Sequence, residues 1–486
     1  MQQQSLLPFV LQGSATMKSP PSEGGTEPPR LHKSTSAMGA TYSVACSEMS
    51  ASELEGHRRA LTMTPLDTGF SGGSAVVSFN AYHIIDDRMH VPRFYGFDKW
   101  GPPVTADISE GAALSKEIAF NGSLNPVQTS ATFETLKQLQ KVPHGALLVL
   151  PCGYGKTVCA LWLAHQLGRR TLVLVHKAFL VSQWHERANA FLPGASVGKI
   201  QQNVAETDAD IVVGMVHSVA KRDYELSEFG TIIIDEAHHM SAPFFSKALR
   251  KDNLKAKYIL GLSATPERKD GLTPLLYHSM GRISHRIERK PEHTLVSCMI
   301  YENAKRKEIT YRDGRVSMPL MLNALAKDQT RNCFIAEHIA RCMSVGRHVI
   351  VLTDRLVQLD FIKQFLLKKS VSEESIAYYV GSSTAGERER AINCPCILST
   401  YSMAKEGLDI PRLDTLVMAC PKGDVVQASG RVQRKHSQKH TPLIIDIVDS
   451  FSIFEALRWK RWNFYRKEQF VCQTYQVTNE DVEWYI

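Results

Sequence analysis

The fold of this chain is decided by nine residues, Leu150-Pro151-Cys152-Gly153-Tyr154-Gly155-Lys156-Thr157-Val158. An apolar run precedes them and a run with helical spacing follows, which predicts a strand, a tight loop and a helix. Gly153 and Gly155 let the loop turn its N–H groups inward, and the helix dipole adds positive charge, so a polyphosphate can bind there. Lys156 would reach the β- and γ-phosphates, and the Thr157 hydroxyl would hold Mg²⁺. Leucine stands where the phosphate-loop pattern has its first glycine, so an ordinary strand-to-helix turn remains the alternative.

A second apolar run, Thr231-Ile232-Ile233-Ile234, ends in two adjacent acids, Asp235 and Glu236. A carboxylate at the tip of a buried strand beside a phosphate-binding loop is where such ATPases hold Mg²⁺, so we expect Asp235 to bind the metal. Glu236 is then placed to orient or deprotonate the attacking water. The alternative is a surface turn that contains two acids. The two motifs together are more specific than either motif alone.

The composition excludes several classes of protein. Of the 486 residues, 43% are hydrophobic and 22% charged, which is typical of a soluble globular protein. No apolar run approaches the roughly 20 residues of a membrane span. The ten cysteines lack metal-ligand spacing and predict reduced thiols in an intracellular protein, without distinguishing nucleus, cytoplasm or virion. A net charge of +8 permits a polyanionic partner such as nucleic acid.

The alternation of strand-like and helical runs predicts an α/β protein with two parallel sheets in tandem. Only the first sheet carries a phosphate loop, so we expect the nucleotide to bind in the cleft between the two lobes. The predicted segments are a disordered tail (1–40), an N-terminal accessory domain (41–118), a first lobe that binds ATP (119–285), a connector (286–328), a second lobe (329–470) and a C-terminal tail (471–486). Within the accessory domain, residues 91–101 are either a nucleic-acid contact or an edge strand and turn.

Three motifs carry a family resemblance. Asp-Glu-Ala-His at 235–238, Ser-Ala-Thr-Pro at 263–266 and Gln-Ala-Ser-Gly-Arg-Val-Gln-Arg at 427–434 resemble motifs II, III and VI of the superfamily 2 DEAH-box helicases, in their proper order. The form of the phosphate loop and Gly-Leu-Asp-Ile-Pro at 407–411 are similar to the branch that contains the xeroderma pigmentosum group B repair helicase, phage UvsW and the poxviral transcript-release helicases. The match covers roughly residues 120–450.

The resemblance implies two RecA-like lobes that use ATP and Mg²⁺ and act on nucleic acid. It implies that Gln128 reads adenine, that Arg431 and Arg434 reach the γ-phosphate from the second lobe, and that Gly407 and Asp409 contact the nucleotide from there. Ser263, Thr265 and Gln427 would couple hydrolysis to lobe movement. The alternatives are a plain helix-start glutamine, structural salt bridges, a helix cap and a strand-end hydroxyl turn.

For the polynucleotide, the resemblance implies a track along one edge of both lobes that contacts phosphate more than bases. The matching positions are His176, Lys177, Gln183, Trp184, Ser218, Arg268, Thr353, Arg355 and Thr400. An ordinary loop or core role is the alternative at each of them. The branch implies a 3′ to 5′ motor on DNA rather than RNA, a monomer, with transcription or repair machinery as further partners.

The C-terminal stretch Arg458–Lys467 packs five cations and four aromatic residues into ten positions. Such a composition suits base stacking beside phosphate neutralisation. It equally suits a closing amphipathic helix whose aromatic side chains enter the core while its charges face water. The sequence leaves both interpretations open.

Overall fold

The computed structural model describes residues 33–66, 77–115, 117–151, 153–239, 242–268, 270–287, 293–406, 410–433 and 440–478. Three main sheets organise this part of the chain: one of five strands near the N-terminus, one of eight strands and one of seven. We call the units built on them the N-terminal module, the first lobe and the second lobe.

The first lobe is a sheet covered by helices, in the strand order β11-β10-β12-β9-β13-β14-β8-β15, parallel except at the edge strand β11. Its strands are continuous apolar runs because both faces are buried: Val173 and Val175 of β9 enter one core, and Leu172 and Leu174 enter the other. Its elements are α3 Pro126–Leu139, β8 Gly145–Val149, α4 Lys156–Leu167, β9 Thr171–Val175, α5 Ala178–Phe191, β10 Val197–Gln201, β11 Val204–Ala205, β12 Ile211–Met215, α6 Val216–Lys221, β13 Thr231–Ile234, α7 Ala242–Leu249, β14 Tyr258–Ser263, α8 Thr273–Met280 and β15 Ile283–Arg286.

This strand order positions the predicted site. Strands β9, β13, β14 and β8 are neighbours and run parallel, so their carboxyl ends meet at one edge of the sheet. The phosphate loop follows β8, the two acids follow β13 and the Ser-Ala-Thr-Pro motif ends β14. Segments far apart in sequence therefore arrive at a common place.

The second lobe is an all-parallel sheet in the order β18-β19-β17-β20-β21-β16-β22. Its elements are β16 Leu295–Glu302, α9 Met318–Lys327, α10 Gln329–Ser344, β17 Val349–Thr353, α11 Leu356–Lys368, β18 Ile376–Tyr379, α12 Ala385–Asn393, β19 Cys396–Thr400, α13 Tyr401–Glu406, β20 Thr415–Met418, α14 Val426–Val432, β21 Leu443–Asp449, α15 Phe454–Lys467 and β22 Val471–Thr478. The sheet with its covering helices confirms the predicted α/β fold of two tandem lobes.

Two predicted boundaries are wrong. Residues 295–302 of the predicted connector form β16, which pairs with β21 on one side and β22 on the other. The first eight residues of the predicted C-terminal tail are β22 itself. Both segments read as irregular because their pairing partners lie far away in the sequence. Hydrogen bonds to β21 make residues 295–302 a strand, and hydrogen bonds to β16 make residues 471–478 a strand.

A buried ion pair ties the start of α10 to the end of β21. Arg331 and Asp449 are both fully buried, and the Arg331 Nε and Nη2 atoms donate to the two carboxylate oxygens at 2.9 and 2.7 Å. Arg331 Nη1 also donates to the carbonyl of Ala419 at 2.7 Å. Burial acts to raise the pKa of Asp449, but Arg331 and Arg306 outweigh it and hold that pKa below its ordinary value.

The N-terminal module docks on the first lobe. Leu272 and Leu275, at the start of α8, enter its core, and the buried Arg93 side chain donates to the carbonyls of Gly39 (2.7 Å) and Ala256 (2.8 Å). Its elements are β1 Ala37–Met38, β2 Tyr42–Ala45, α1 Ala51–Leu61, β3 Thr62–Met63, β4 Phe79–Asn80, β5 His83–Ile85, β6 Arg88–Val91, α2 Arg93–Trp100 and β7 Thr105–Ala106.

Two details of the N-terminal predictions need correction. Residues 93–100 form helix α2 instead of an edge strand and turn, because Phe94, Tyr95 and Trp100 all bury against neighbouring elements. The ordered module already includes β1, within the predicted tail of residues 1–40. The first 32 residues of that tail lie outside the described part of the chain.

Candidate functional site

The phosphate loop has the backbone that its glycines predict. Gly153 and Gly155 have φ of 86° and 77°, in the left-handed region that favours glycine. Helix α4 begins at Lys156 directly after this turn. A Cβ atom at position 155 would also lie 2.4 Å from the Nε2 atom of Gln128. The dihedral angle therefore favours glycine at this position, and a larger residue would also have to displace the end of the Gln128 side chain.

Gln128 lies on the loop itself. Its Nε2 donates to the carbonyl of Tyr154 at 3.1 Å, and its Oε1 accepts from the backbone N–H of Asn125 at 3.0 Å as part of a capping box that starts α3. The side-chain amide has a second N–H and a second lone pair, so a contact with adenine stays a prediction.

The Asp235 side chain is buried, and each of its carboxylate oxygens accepts a hydrogen bond. Its Oδ2 accepts a hydrogen bond from the indole Nε1 of Trp184 at 2.8 Å, and its Oδ1 accepts from the backbone N–H of Glu236 at 2.9 Å. Burial, and next the charge of Glu236, raise the pKa of Asp235 to about 6, while the Trp184 hydrogen bond and Lys156 act in the opposite direction. A cation beside this carboxylate would relieve both causes of the rise.

Lys156 joins the loop to the acids. Its Nζ lies 3.6 Å from the Glu236 Oε1 and 3.4 Å from the carbonyl oxygen of Leu150. Glu236 itself has a φ of 45°, a left-handed conformation that costs a non-glycine residue on the order of 1 kcal/mol or more and that clusters at functional sites. The structure thus brings together Lys156, Asp235 and Glu236, as their motifs predict.

The oxygen donors at this edge fit Mg²⁺ shared with a nucleotide. Asp235 offers a carboxylate and Thr157 a hydroxyl, the hard oxygen ligands that Mg²⁺ prefers. Among the described residues no group of three or more His, Cys, Asp or Glu side chains could hold a metal. This donor set suits an ion that takes its remaining ligands from phosphate and water.

A chain of contacts links Glu236 to the Ser-Ala-Thr-Pro motif. His238 Nδ1 lies 3.6 Å from the Glu236 Oε2 and within 2.9 Å of the Ser263 Oγ, and that hydroxyl accepts from the N–H of Thr265 at 3.2 Å. Sequence reasoning treated His238 only as a motif residue. The structure places it between the predicted water-orienting acid and the predicted coupling hydroxyls.

The nucleotide-facing residues of the second lobe are only partly described. Arg431 lies on α14 and is buried, and its Nε donates to the carbonyl of Ala404 in α13 at 2.7 Å. Gln427 lies one turn earlier on the same helix and is half-buried. Gly407, Asp409 and Arg434 lie outside the described residues. An arginine that reaches across to the γ-phosphate therefore stays a prediction.

The Tyr379 hydroxyl is influenced by charges from both lobes. Burial raises the pKa of Tyr379, at the end of β18, and Arg388 and Arg431 oppose that rise while Glu186 adds to it. Glu186 belongs to α5 of the first lobe. The charges of Arg431 and Glu186 thus act on a common neighbour, at the boundary between the two lobes.

The predicted polynucleotide track is wrong at two positions. Trp184 and Thr353 are buried, and the Thr353 hydroxyl donates to the Gln358 Oε1 at 2.6 Å. Arg268 also points inward, since its guanidinium donates to the carbonyl of His238 at 2.8 Å and to both oxygens of Asp270. These side chains stabilise the first and second lobes internally.

The remaining track residues end or follow strands of the two sheets. His176, Lys177 and Gln183 follow the end of β9 and are half-buried, as is Ser218 on α6. Thr400 ends β19 and pairs its hydroxyl with Ser402 at 3.0 Å. The Arg355 guanidinium donates to the Asn323 Oδ1 and to backbone carbonyls, which ties it to α9. Their contact with nucleic acid stays a prediction.

Sequence reasoning missed the role of Trp184. A buried indole nearly always gives its N–H to a partner, and this one gives it to the carboxylate that was predicted to hold the metal. The available signal was the position of Trp184 on the helix that follows β9, the strand next to the one that ends in Asp235.

Two family profiles match the chain. Residues 121–268 match the family described as type III restriction enzyme, res subunit, and residues 331–436 match the helicase conserved C-terminal domain. Among curated proteins, a putative ATP-dependent RNA helicase of Acanthamoeba polyphaga mimivirus is 32% identical over 398 residues, which cover 80% of this chain and 76% of that protein. A probable helicase of Escherichia phage T5 is 27% identical over 72% of this chain and 79% of that protein.

Solved structures share the fold at low identity. A putative HsdR subunit fragment of a type I restriction enzyme from Vibrio vulnificus matches with a TM-score of 0.54 at 16% identity, over 74% of this chain and 70% of the other. The S. cerevisiae Dbp5 structure bound to RNA and ADP BeF3 matches with a TM-score of 0.51 at 14% identity, over 74% and 95%. Within the described residues, no helix is both long enough and apolar enough to cross a membrane.

Proposed function

The chain belongs to the ATP-dependent helicases of superfamily 2, and on that premise we propose that it is a 3′ to 5′ motor on DNA that couples ATP hydrolysis to strand separation or to the remodelling of transcripts and forks. The observation that carries the proposal is the meeting of Lys156, Asp235 and Glu236 at one sheet edge, with Lys156 Nζ 3.6 Å from the Glu236 carboxylate. A protein that only clamps nucleic acid has no use for an acid placed to activate water.

In the proposed mechanism the phosphate loop binds the polyphosphate through its inward N–H groups, and Lys156 exchanges its contact with Glu236 for the phosphates. Glu236 is then free to take a proton from the attacking water. Asp235 and Thr157 would hold Mg²⁺, which would neutralise charge on the phosphate oxygens. Arg431 and Arg434 would offset the charge that grows in the transition state.

The contacts from Glu236 through His238 to Ser263 suit a signal from hydrolysis to lobe movement. When the acid changes its hydrogen bonds, His238 is the first neighbour to respond, because it lies 3.6 Å away. The Ser263 hydroxyl contacts His238 and also accepts from the backbone N–H of Thr265, so a shift of His238 would move both residues. We propose that ATP closes the two lobes and that hydrolysis reopens them.

RNA is the second candidate substrate. The mimivirus relative bears the name of a putative RNA helicase, whereas the form of the phosphate loop and Gly-Leu-Asp-Ile-Pro at 407–411 favour DNA through the resemblance of those motifs. We further propose that the protein acts inside the cell as a monomer and that transcription or repair machinery is its partner.

The test is phosphate release by the full chain with DNA and RNA of one sequence, each single-stranded, forked or as a hybrid. We expect DNA to stimulate release most and a forked substrate with a 3′ tail to be unwound. The Glu236→Gln variant should lose turnover while it still binds nucleotide. Glu225→Gln, which changes an exposed acid of the same lobe, serves as the matched control. Equal turnover in the Glu236→Gln and wild-type proteins would refute the role of Glu236 in activating water. Stronger stimulation by RNA than by DNA would make RNA the proposed substrate.

A further inference from the structure

Helix α15 is anchored to the second lobe by a buried cation. Arg461 is only 2% exposed, and its Nε donates to the Asp446 Oδ2 at 2.8 Å. The Tyr465 hydroxyl donates to the same oxygen at 2.9 Å, and Arg461 Nη1 donates to the carbonyl of Lys422 at 2.9 Å. These contacts fix which face of α15 turns outward.

The outward face is a stripe of cations around an indole, which we call the Trp459 stripe. Trp459 is 56% exposed. The other members of the stripe are the exposed residues Lys460, Asn463, Arg466 and Lys467. Their spacing of one, four, seven and eight residues after Trp459 places all five on one face of a helix, which extends about 12 Å at 1.5 Å per residue.

Helix α15 buries Phe454, Leu457 and Tyr465 as an amphipathic helix does, but it departs from that pattern at two positions. An arginine lies inside and a tryptophan lies in water, whereas burial alone would favour the opposite. Residues 456–467 also contain no Asp or Glu. Glu455, one turn before Trp459, borders this face and lies 3.6 Å from Arg458. A helix that served only to close the lobe would gain nothing from an exposed indole among these cations.

Neighbouring side chains support the Trp459 indole in its exposed position. The Arg458 guanidinium lies 5.7 Å from the centre of the Trp459 ring. Arg458 is itself held, because its Nη1 donates to the Ser450 Oγ at 3.0 Å and lies 3.6 Å from the Glu455 carboxylate. The aliphatic stem of Lys460 lies over Gly423. The stripe is thus supported from both sides by the second lobe.

The C-terminal end of the stripe faces the first lobe. Burial acts to raise the pKa of the Glu267 carboxyl, but the Arg286 hydrogen bond and, more weakly, the charge of Lys467 bring that pKa below its ordinary value. Glu267 directly follows the Ser-Ala-Thr-Pro motif. The charge of Lys467, at the C-terminal end of the stripe, therefore acts on the segment that follows this motif.

We propose that the Trp459 stripe binds single-stranded nucleic acid, with a base stacked on the Trp459 ring and backbone phosphates on Lys460, Arg466 and Lys467. Stacking tolerates any base because every base has a π-face, and the cations follow the backbone, as a sequence-independent motor needs. A protein partner fits less well, since lysine is depleted in the cores of protein interfaces. The inference rests on the proposed function and adds to it a site outside the helicase motifs.

The binding test uses the full chain and fluorescently labelled oligo(dT) and oligo(U) without nucleotide. Trp459→Ala should weaken binding roughly five-fold to a hundred-fold, the range expected for one lost stacked base, while Trp459→Phe should retain most of the affinity. The Lys460→Gln, Arg466→Gln double variant should flatten the plot of log K against log salt by about 0.7 per lost phosphate contact. Lys368→Gln, an exposed cation of α11, is the matched control and should leave both quantities unchanged. The two oligonucleotides reveal whether DNA or RNA is held more tightly.

A second measurement does not depend on any variant. Photo-crosslinking of iodouracil-substituted strands to the wild-type protein should map to the peptide that contains residues 454–467.

Unchanged thermal unfolding of Trp459→Ala, expected for an exposed side chain, excludes misfolding as the cause of weaker binding. If the wild-type protein binds and is stimulated while Trp459→Ala binds equally well and no crosslink maps to α15, this inference is overturned and the proposed function stands. If the wild-type protein binds no strand, both fall together.

Discussion

Replacing Trp184 by phenylalanine should weaken the predicted metal site without touching any substrate. The change removes the indole N–H that donates to the Asp235 Oδ2 at 2.8 Å and keeps an aromatic ring in the buried position. Asp235 retains the backbone N–H of Glu236 on its other oxygen. The perturbation is therefore one hydrogen bond to a buried carboxylate.

The size of the effect follows from the charge of the acceptor. A hydrogen bond to a charged group contributes about 1.5–3 kcal/mol, and one pKa unit corresponds to about 1.4 kcal/mol. Because the Trp184 bond lowers the pKa of Asp235, its loss raises a pKa that already stands at about 6. The acid limb of the pH–rate profile should move upward by about one to two pH units.

The assay is kcat/KM for ATP at limiting Mg²⁺ between pH 6 and 9, since this parameter reports the ionisation of the free enzyme. At pH 6.5 we expect roughly a tenfold loss, because most Asp235 side chains in the variant would then carry a proton. At pH 8.5 the loss should nearly vanish. Trp162→Phe, which changes a partly buried tryptophan of the same lobe, is the matched control and should leave the profile in place.

Two outcomes would refute this reasoning. A Trp184→Phe profile that overlays the wild-type curve would mean that the indole does not set the ionisation of Asp235. A loss of equal size at every pH would mean that Trp184 acts through packing alone.

Three further predictions test the same layout. Lys156→Ala should abolish turnover but leave nucleotide-free binding of nucleic acid within about twofold, because the phosphate loop and the polynucleotide track are separate surfaces; loss of binding in a strand-binding assay contradicts this. Asp235→Asn should abolish turnover yet stabilise the fold by about 1–3 kcal/mol above pH 6, since it removes a buried charge whose pKa is raised, and urea unfolding should show the gain shrinking as pH falls towards 4. Arg331→Met should destabilise the second lobe by about 3–5 kcal/mol, because it leaves Asp449 buried with only Arg306 beside it; an unchanged urea midpoint would show that Arg306 suffices.

The core strands of both lobes could be predicted because each is a short apolar run with turn residues on both sides. The apolar run at 231–234, for example, begins and ends where β13 does. Strands β16 and β22 could not, since their hydrogen-bond partners come from distant segments. Local composition describes a strand well only when both of its faces are buried, and β22 is largely exposed.

The residues of the candidate site also fall into those that the sequence predicted and those that it did not. Lys156, Asp235 and Glu236 were predicted from motifs, and neighbouring parallel strands bring them together. Trp184 and Thr353 were assigned to the nucleic-acid track through the family resemblance, but both side chains turn into the core. Whether a residue at a strand end faces a ligand or a neighbouring helix depends on packing that the motif does not contain.

The sequence by itself determined the phosphate loop, the paired acids and the two α/β lobes, because glycine dihedrals and apolar periodicity act over only a few residues. The tertiary structure alone decided that Trp184, 51 residues from Asp235, donates to its carboxylate, and that Arg461 turns inward while Trp459 faces water. In both cases the deciding partner is a buried carboxylate from another element of the fold. A buried charge takes whichever donor the fold brings within reach.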